Sequence, residues 1–145
     1  MTGHLDVIHS NVFVEERDDG FGHVVIRCAP VDRLPASVQV RRDLLARVRD
    51  MVDESVRVSQ KRGHAHSYVH VYMRGCTLHN FSIAFYSKMV KTLDGLYDDT
   101  LAGAFIYDAP PAARSVWKVI SMFIEPKTRK KISMVQSHRE TPQLM

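Results

Sequence analysis

Tyr97-Asp98-Asp99-Thr100-Leu101, then Ala104-Phe105-Ile106-Tyr107-Asp108-Ala109-Pro110-Pro111, then, beyond a tryptophan-bearing apolar run, Glu125-Pro126-Lys127-Thr128-Arg129-Lys130-Lys131-Ile132: the reading of this stretch decides the fold. Ala104 to Ala109 is a short apolar run between turn signals, the pattern of a buried strand. Pro110-Pro111 ends it, because neither proline donates to a sheet ladder. Ala112 to Ile124 holds no glycine or proline and predicts a helix. Glu125, placed before Pro126, is pushed out of the helical region and stops that helix. Pro126 opens a short basic turn that feeds a strand from Ile132 to Val135.

The helix over 112–124 is apolar around most of its circumference. Val116, Val119, Ile120 and Phe123 fall on one face at i, i+3, i+4 and i+7, enough to dock on a sheet, while Trp117, Met122 and Ile124 lie outside that stripe. Between Ala113 and Glu125 only Arg114, Ser115, Lys118 and Ser121 are polar. Such a helix is either buried on all sides or faces a lipid or membrane surface. Burying a late helix completely is hard in a chain of 145 residues, which raises the lipid reading.

Together these residues resemble the CRAL-TRIO lipid-binding domain, the family of a phosphatidylinositol transfer protein and of tocopherol and retinaldehyde carriers. The resemblance rests on Tyr-x-acid-x-Leu at 97–101, the apolar strand ending in Ala109-Pro110, the helix bearing Trp117, and the run Phe123-Ile124-Glu125-Pro126-Lys127-Thr128-Arg129-Lys130-Lys131-Ile132. It extends back to Asp19, where Asp19, Gly22 and Val25 fit the family's entry into its first core strand and His23 and Val24 replace Arg and Pro. The resemblance implies an α/β fold, three-layer-like, with a largely parallel β-sheet packed by helices. It also implies incompleteness relative to the family, without the usual N-terminal helical subdomain and without the helix and strand that follow position 135. Ala112 to Ile124 would be the gate over a lipid cavity, with Phe85, Tyr86, Met89, Phe105, Tyr107, Val116, Trp117, Ile120, Phe123 and Ile124 as cavity and gate residues. Asp99 and Lys131 match the positions that hold an inositol phosphate in phosphoinositide-binding relatives, while Asp98 and Thr100 stand where those relatives carry Pro and Arg.

Composition sets bounds around this reading. A chain of 145 residues, 45% apolar and 25% charged, predicts one domain over 1–145, with 1–10 and 136–145 as poorly ordered termini and with His4 and His9 solvated. Two cysteines, Cys28 and Cys76, and the lack of an apolar run long enough for a signal peptide or a membrane span point to a soluble protein in a reducing compartment, cytoplasmic and with no disulfide, and the resemblance to lipid carriers adds the expectation of peripheral membrane association. From Ala112 onward there are seven Lys or Arg against two Glu, a net +5 in a chain of net +4. That basic end suits anionic headgroups, or is a solvated surface cluster. No aromatic-interleaved basic patch marks nucleic acid as a partner.

Ahead of the deciding stretch, Asn11 to Val14 and His23 to Cys28 predict two strands, a hairpin across a charged loop. Ser37 predicts the N-cap of a long amphipathic helix to about Val58, ended by Lys61-Arg62-Gly63. Tyr68 to Met73 predicts a strand, and Gly75 the turn after it. His64, His66 and His70 share a face at even offsets, but no Cys or carboxylate follows at ligand spacing, so no metal is expected; His64 and His66 are expected to be exposed and His70 a satisfied sheet residue. From Asn80 or Ser82 as cap, Phe85, Met89 and Leu93 with Ile83, Tyr86, Val90 and Leu96 predict a second helix ended by Asp94-Gly95. Strands alternating with helices argue parallel pairing.

No residues assemble into a nucleophile, phosphate-binding or dinucleotide motif, and no cofactor beyond a bound lipid is expected. Asp108, at the carboxyl end of a strand, is read as closing that strand or capping the next helix rather than as a catalytic acid. The function expected is a non-enzymatic lipid-binding and transfer module for a phospholipid or other hydrophobic small molecule. The alternative is a ligand-free scaffold of the same fold that binds a protein partner.

Overall fold

Five strands form one sheet in the order β1–β2–β3–β4–β5, which is also their order along the chain. The structure, a computed structural model, describes residues 3–77, 83–97 and 99–136. A first helix α1 (Gly3–Asn11) leads into the hairpin β1 (Val12–Glu16) and β2 (Gly22–Arg27), and every later pairing is parallel. After β2 come the short α2 (Cys28–Asp32), the long α3 (Val38–Lys61) and β3 (Ser67–Tyr72). Then follow α4 (Ile83–Tyr97), β4 (Leu101–Tyr107), α5 (Pro111–Ile120) with a 3-10 turn (Ser121–Phe123), α6 (Pro126–Arg129) and β5 (Ile132–Val135). The hairpin, the parallel core and the last strand are as the sequence predicts.

Parallel strands that are neighbours both in sequence and in space need crossovers, and crossovers share one hand, so α3, α4 and α5 all fall on one face of the sheet. Side chains alternate across the strands. The register sets Val24, Val69, Ala104 and Ile132 in one inner row and Ile26, Val71, Ile106 and Met134 in the next. Ile8, Val12, Val24, Val31, Val40, Leu44, Val48 and Val52 form the main core under α3. Cys28, Met73, Cys76 and Ala109 form a second cluster at the carboxyl ends of the strands; neither cysteine is in a disulfide.

Local chemistry explains the boundaries. Ser37 caps α3, its Oγ accepting from the Val40 N–H at 3.1 Å. Gly63 ends it with φ +85, donating to Gln60 O while His64 N donates to Ser59 O. That is the paired bonding of a glycine-terminated helix. Gly22 lets α3 lie close on β2: a Cβ there would stand 2.1 Å from the Ser55 carbonyl oxygen, and its N–H donates to Ser59 Oγ at 2.7 Å.

Four expectations are corrected. Residues 3–10 are not a patternless terminus: Gly3–Asn11 is helical and Ile8 is fully buried. His4, read as solvated, bonds Asp43 through Nε2 at 2.7 Å. Helix α4 runs through Asp94-Gly95 to Tyr97, because Gly95 keeps a negative φ and nothing in the packing stops the helix there. Helix α5 ends at Ile120 rather than Ile124, tightening into the 3-10 turn before Ile124 and Glu125 become extended at ψ 144 and 139. The predicted caps Asn80 and Ser82, and residues 137–145, lie outside the described residues.

Candidate functional site: the cavity under helix α5

Between the inner face of the sheet and helices α3, α4 and α5 lies a cavity of about 250 Å³. The sheet supplies Ile26, Val69, Val71, Ala104, Ile106, Ile132 and Met134 to its wall. Leu44, Val48 and Val52 come from α3, Tyr86, Met89, Val90 and Leu93 from α4, and Ala113, Val116, Trp117 and Ile120 from α5. Helix α5 begins with two prolines because Pro110 is extended at ψ 157 and Pro111 occupies the first helical turn, where no N–H is needed. Asp108, at φ 56, turns the chain from β4 into this entry, and its N–H donates to Val135 O at 2.8 Å.

The wall carries little charge. Burial pushes the Tyr86 phenol and the Cys28 thiol well above their ordinary ranges, so both face the cavity uncharged. Tyr97 and Asp94 of α4 and Thr128 of α6 also line it, but its surface is almost wholly apolar. Asp94 Oδ2 accepts from the Glu125 N–H at 3.3 Å, which ties the end of α4 to the segment after α5.

The cavity gathers some of the residues expected from the sequence and not others. Tyr86, Met89, Val116, Trp117 and Ile120 line it. Phe85 packs against the main core instead, and Ile124 is buried without reaching the wall. The inward stripe of α5 is Ala113, Val116, Trp117 and Ile120, turned about one residue from the predicted one. Val119, Met122 and Phe123 are consequently 55%, 67% and 64% exposed. Phe105 and Tyr107 are corrected to the opposite face of the sheet, since their register partners are His70 and Tyr72 and not the inner rows. Asp99 and Lys131 do not line the cavity. Asp99 is exposed and bonded to Lys127 Nζ at 2.8 Å, which holds its carboxyl below the usual range, with Lys131 a further nearby positive charge.

On that opposite face the histidines find their partners. Asp19 Oδ2 lies 2.8 Å from His23 Nε2, His23 Nδ1 lies 2.9 Å from His70 Nε2, and His70 Nδ1 lies 2.9 Å from the Tyr107 hydroxyl. Phe105 stacks on His70 at 5.5 Å and Tyr72 on Tyr107 at 4.5 Å. His70 is thus the satisfied sheet residue expected. His64 stacks on Phe21 at 4.0 Å and is half-buried, while His66 is exposed.

Sequence reasoning missed Asp94 and Thr128. Asp94 precedes a glycine and reads locally as part of a helix stop; Thr128 lies in a basic turn. Nothing local marked either as facing a cavity.

The comparisons accord with this architecture. Among curated proteins none matches the chain. A crystal structure of Sfh5 is similar with a TM-score of 0.67 at 13% sequence identity, over 93% of this chain and 49% of that one. This chain therefore spans about half the length of that structure, and the likeness is one of fold. The model of the CRAL/TRIO domain matches residues 12–144, from the first strand of the sheet through its last, so the chain belongs to the CRAL/TRIO domain family.

Proposed function

We propose that this chain holds one hydrophobic ligand in the cavity beneath α5 and exchanges it at a membrane surface. The observation that carries the reading is the cavity itself, about 250 Å³ with walls of aliphatic and aromatic side chains. Ligand sites commonly enclose roughly 300–1,000 Å³, so the volume suits a slender single-chain molecule, and a two-chain lipid would require α5 to move outward. Each buried CH₂ contributes about 0.8 kcal/mol, enough for an acyl or alkyl chain to supply most of the affinity.

The outer side of the gate supports membrane exchange. Val119, Met122 and Phe123 are exposed beside the exposed cations Lys118, Lys127, Arg129 and Lys130. Apolar side chains beside cations suit an anionic bilayer surface. Lys91 Nζ sits 4.7 Å over the Phe123 ring and Arg129 donates to Ser121 O at 2.9 Å, two contacts that hold the segment after α5 in place. The exposure of Asp99 and its pairing with Lys127 give a headgroup role for Asp99 and Lys131 less support than the cavity gives the apolar body.

The protein-partner scaffold is favoured by one observation, the half-buried aromatic layer of Tyr68, Phe105 and Tyr107 with the exposed Tyr72 on the other sheet face. Incubation with mixed liposomes, repurification and mass spectrometry of the extract decides between the two. A single lipid class near one per chain is expected, and Trp117→Asp, which sets a charge in the cavity wall, should abolish it. A folded wild type that carries no lipid would favour the scaffold.

A further inference from the structure

A hydrogen-bonded chain crosses the outer face of the sheet, from Asp19 in the hairpin loop through His23 of β2 and His70 of β3 to Tyr107 of β4. Its three links measure 2.8, 2.9 and 2.9 Å. Both histidines are 4% exposed, whereas Asp19 is exposed and Tyr107 half-buried, so solvent meets the chain at its ends. The other titratable groups that face it are Glu15 of β1, Arg17 of the loop, and Tyr68 and Tyr72 of β3.

The two ends fix which nitrogens carry protons. The Phe21 N–H, donating at 2.9 Å, and then the His23 ring hold the Asp19 carboxyl below its usual range, so it is ionised and only accepts. His23 Nε2 therefore carries a proton. While His23 is neutral its Nδ1 is bare and must accept, which puts the His70 proton on Nε2. Burial first, then Arg17 and His23, hold the His70 pKa down to about 4. That ring therefore stays neutral, its Nδ1 is bare, and the Tyr107 hydroxyl donates to it. All three protons then point toward Asp19.

A further proton is disfavoured on His70, because Arg17 Nη1 lies 3.4 Å from its Nε2. It settles on His23, beside the carboxylate. His23 Nδ1 now donates, and His70 must offer it a bare Nε2, so the one His70 proton stands on Nδ1 and goes to the Tyr107 oxygen. The balance is a single proton. The Tyr107 proton passes to His70 Nδ1, the His70 Nε2 proton passes to His23 Nδ1, and solvent replaces the proton on Tyr107. Every link survives with its direction reversed, and Arg17 faces a bare nitrogen instead of an N–H.

We propose that this chain is a one-proton switch: uptake at His23 reverses all three hydrogen bonds and turns the Tyr107 hydroxyl from an inward donor into one aimed at Tyr72 and the sheet surface. No strand has to move. The hydrogen-bonding character of the face changes while the register of β2, β3 and β4 stays as it is.

Imidazole nitrogen NMR signals distinguish an N–H nitrogen from a bare one. The test records them on the full chain from about pH 8 to 5, the range in which histidines ordinarily titrate. As His23 Nδ1 gains its proton, the His70 N–H is expected to pass from Nε2 to Nδ1 with the same midpoint, and the Tyr107 Cζ signal to shift with it. His23→Gln removes the titrating ring and should leave His70 in one tautomer and the Tyr107 signal constant throughout. The wild-type titration decides alone should that variant not fold. A His70 that keeps one tautomer while His23 titrates would overturn the switch, as would a His23 that stays neutral down to about pH 5. A tautomer change that persists in His23→Gln overturns it too. Loss of the amide hydrogen bonds between β2 and β3 over the same range would mean that the chain breaks rather than reverses, and counts against it equally.

Discussion

His70 shows how one side chain couples the sheet to pH. It is 4% exposed, and burial first, then the positive charges of Arg17 and His23, hold its pKa down to about 4 from the ordinary 6.5, against the weaker opposing pull of Glu15 and Asp19. Tyr72 on its own strand and Tyr107 on β4 complete the groups around it. The unfolded chain protonates this residue first. The contribution is therefore fully present above about pH 6.5 and is lost as pH falls toward about 4. Urea midpoints should decline across that window, and His70→Phe should remove part of the slope. A slope identical in the variant would assign it to other groups. His70 was legible as a sheet residue from its β-rich run, but its bonding to His23, 47 positions away, was not. Register between distant strands is a tertiary property.

At the scale of elements, two glycines make opposite predictions. Gly95 lies inside α4 with open space where a Cβ would go. Replacing it by alanine relieves the entropy cost of a mid-helix glycine and should stabilise by about 0.5–1 kcal/mol. Gly22→Ala sets a Cβ into the Ser55 carbonyl and must push α3 off β2, at a cost on the order of 3 kcal/mol. Denaturant midpoints of the two variants should move in opposite directions. Gly22 was legible through the family pattern at 19–25, but its physical reason is the contact with α3. The reach of α4 was not legible, because Asp-Gly reads locally as a stop while Gly95 in fact keeps the helical φ and the helix runs on to Tyr97. Helix α5 was legible as apolar nearly all round. An all-round apolar pattern carries little phase information, so the inward stripe emerged one residue from its predicted place.

For the whole molecule, the proposed exchange of ligand at a membrane is tested on the outer side of α5 and the turn after it. Val119, Met122 and Phe123 lie outside the cavity, beside cations, in a chain of net charge +4. Substituting Met122→Glu together with Phe123→Glu should cut transfer to anionic vesicles several-fold while leaving the melting temperature within about 2 °C, since exposed positions contribute little to stability. Wild-type binding to the same vesicles should weaken as ionic strength rises from 0.01 to 0.15 M, as the screening length shortens from about 30 to 8 Å. Transfer indifferent to both changes would place the exchange surface elsewhere.

By itself the sequence determined the five strands and the three longer helices between them, the stop at Pro110-Pro111, the Ser37 cap, the Gly63 end and the family, but not α1, α2 or α6. Each of these is written within a few neighbouring residues, where backbone sterics and capping act. Tertiary structure alone decided which side of each strand faces the helices. Period-two alternation defines two faces without ranking them, and Phe105 and Tyr107 look as suited to a cavity as Ile106. Sequential strand order with crossovers of one hand resolved it, gathering α3, α4 and α5 over the aliphatic face and leaving the aromatic and histidine face on the other side. The same packing brought Asp94 and Thr128, unmarked in the chain, into the lining of the cavity, because both depend on how the ends of α4 and α6 meet around Glu125.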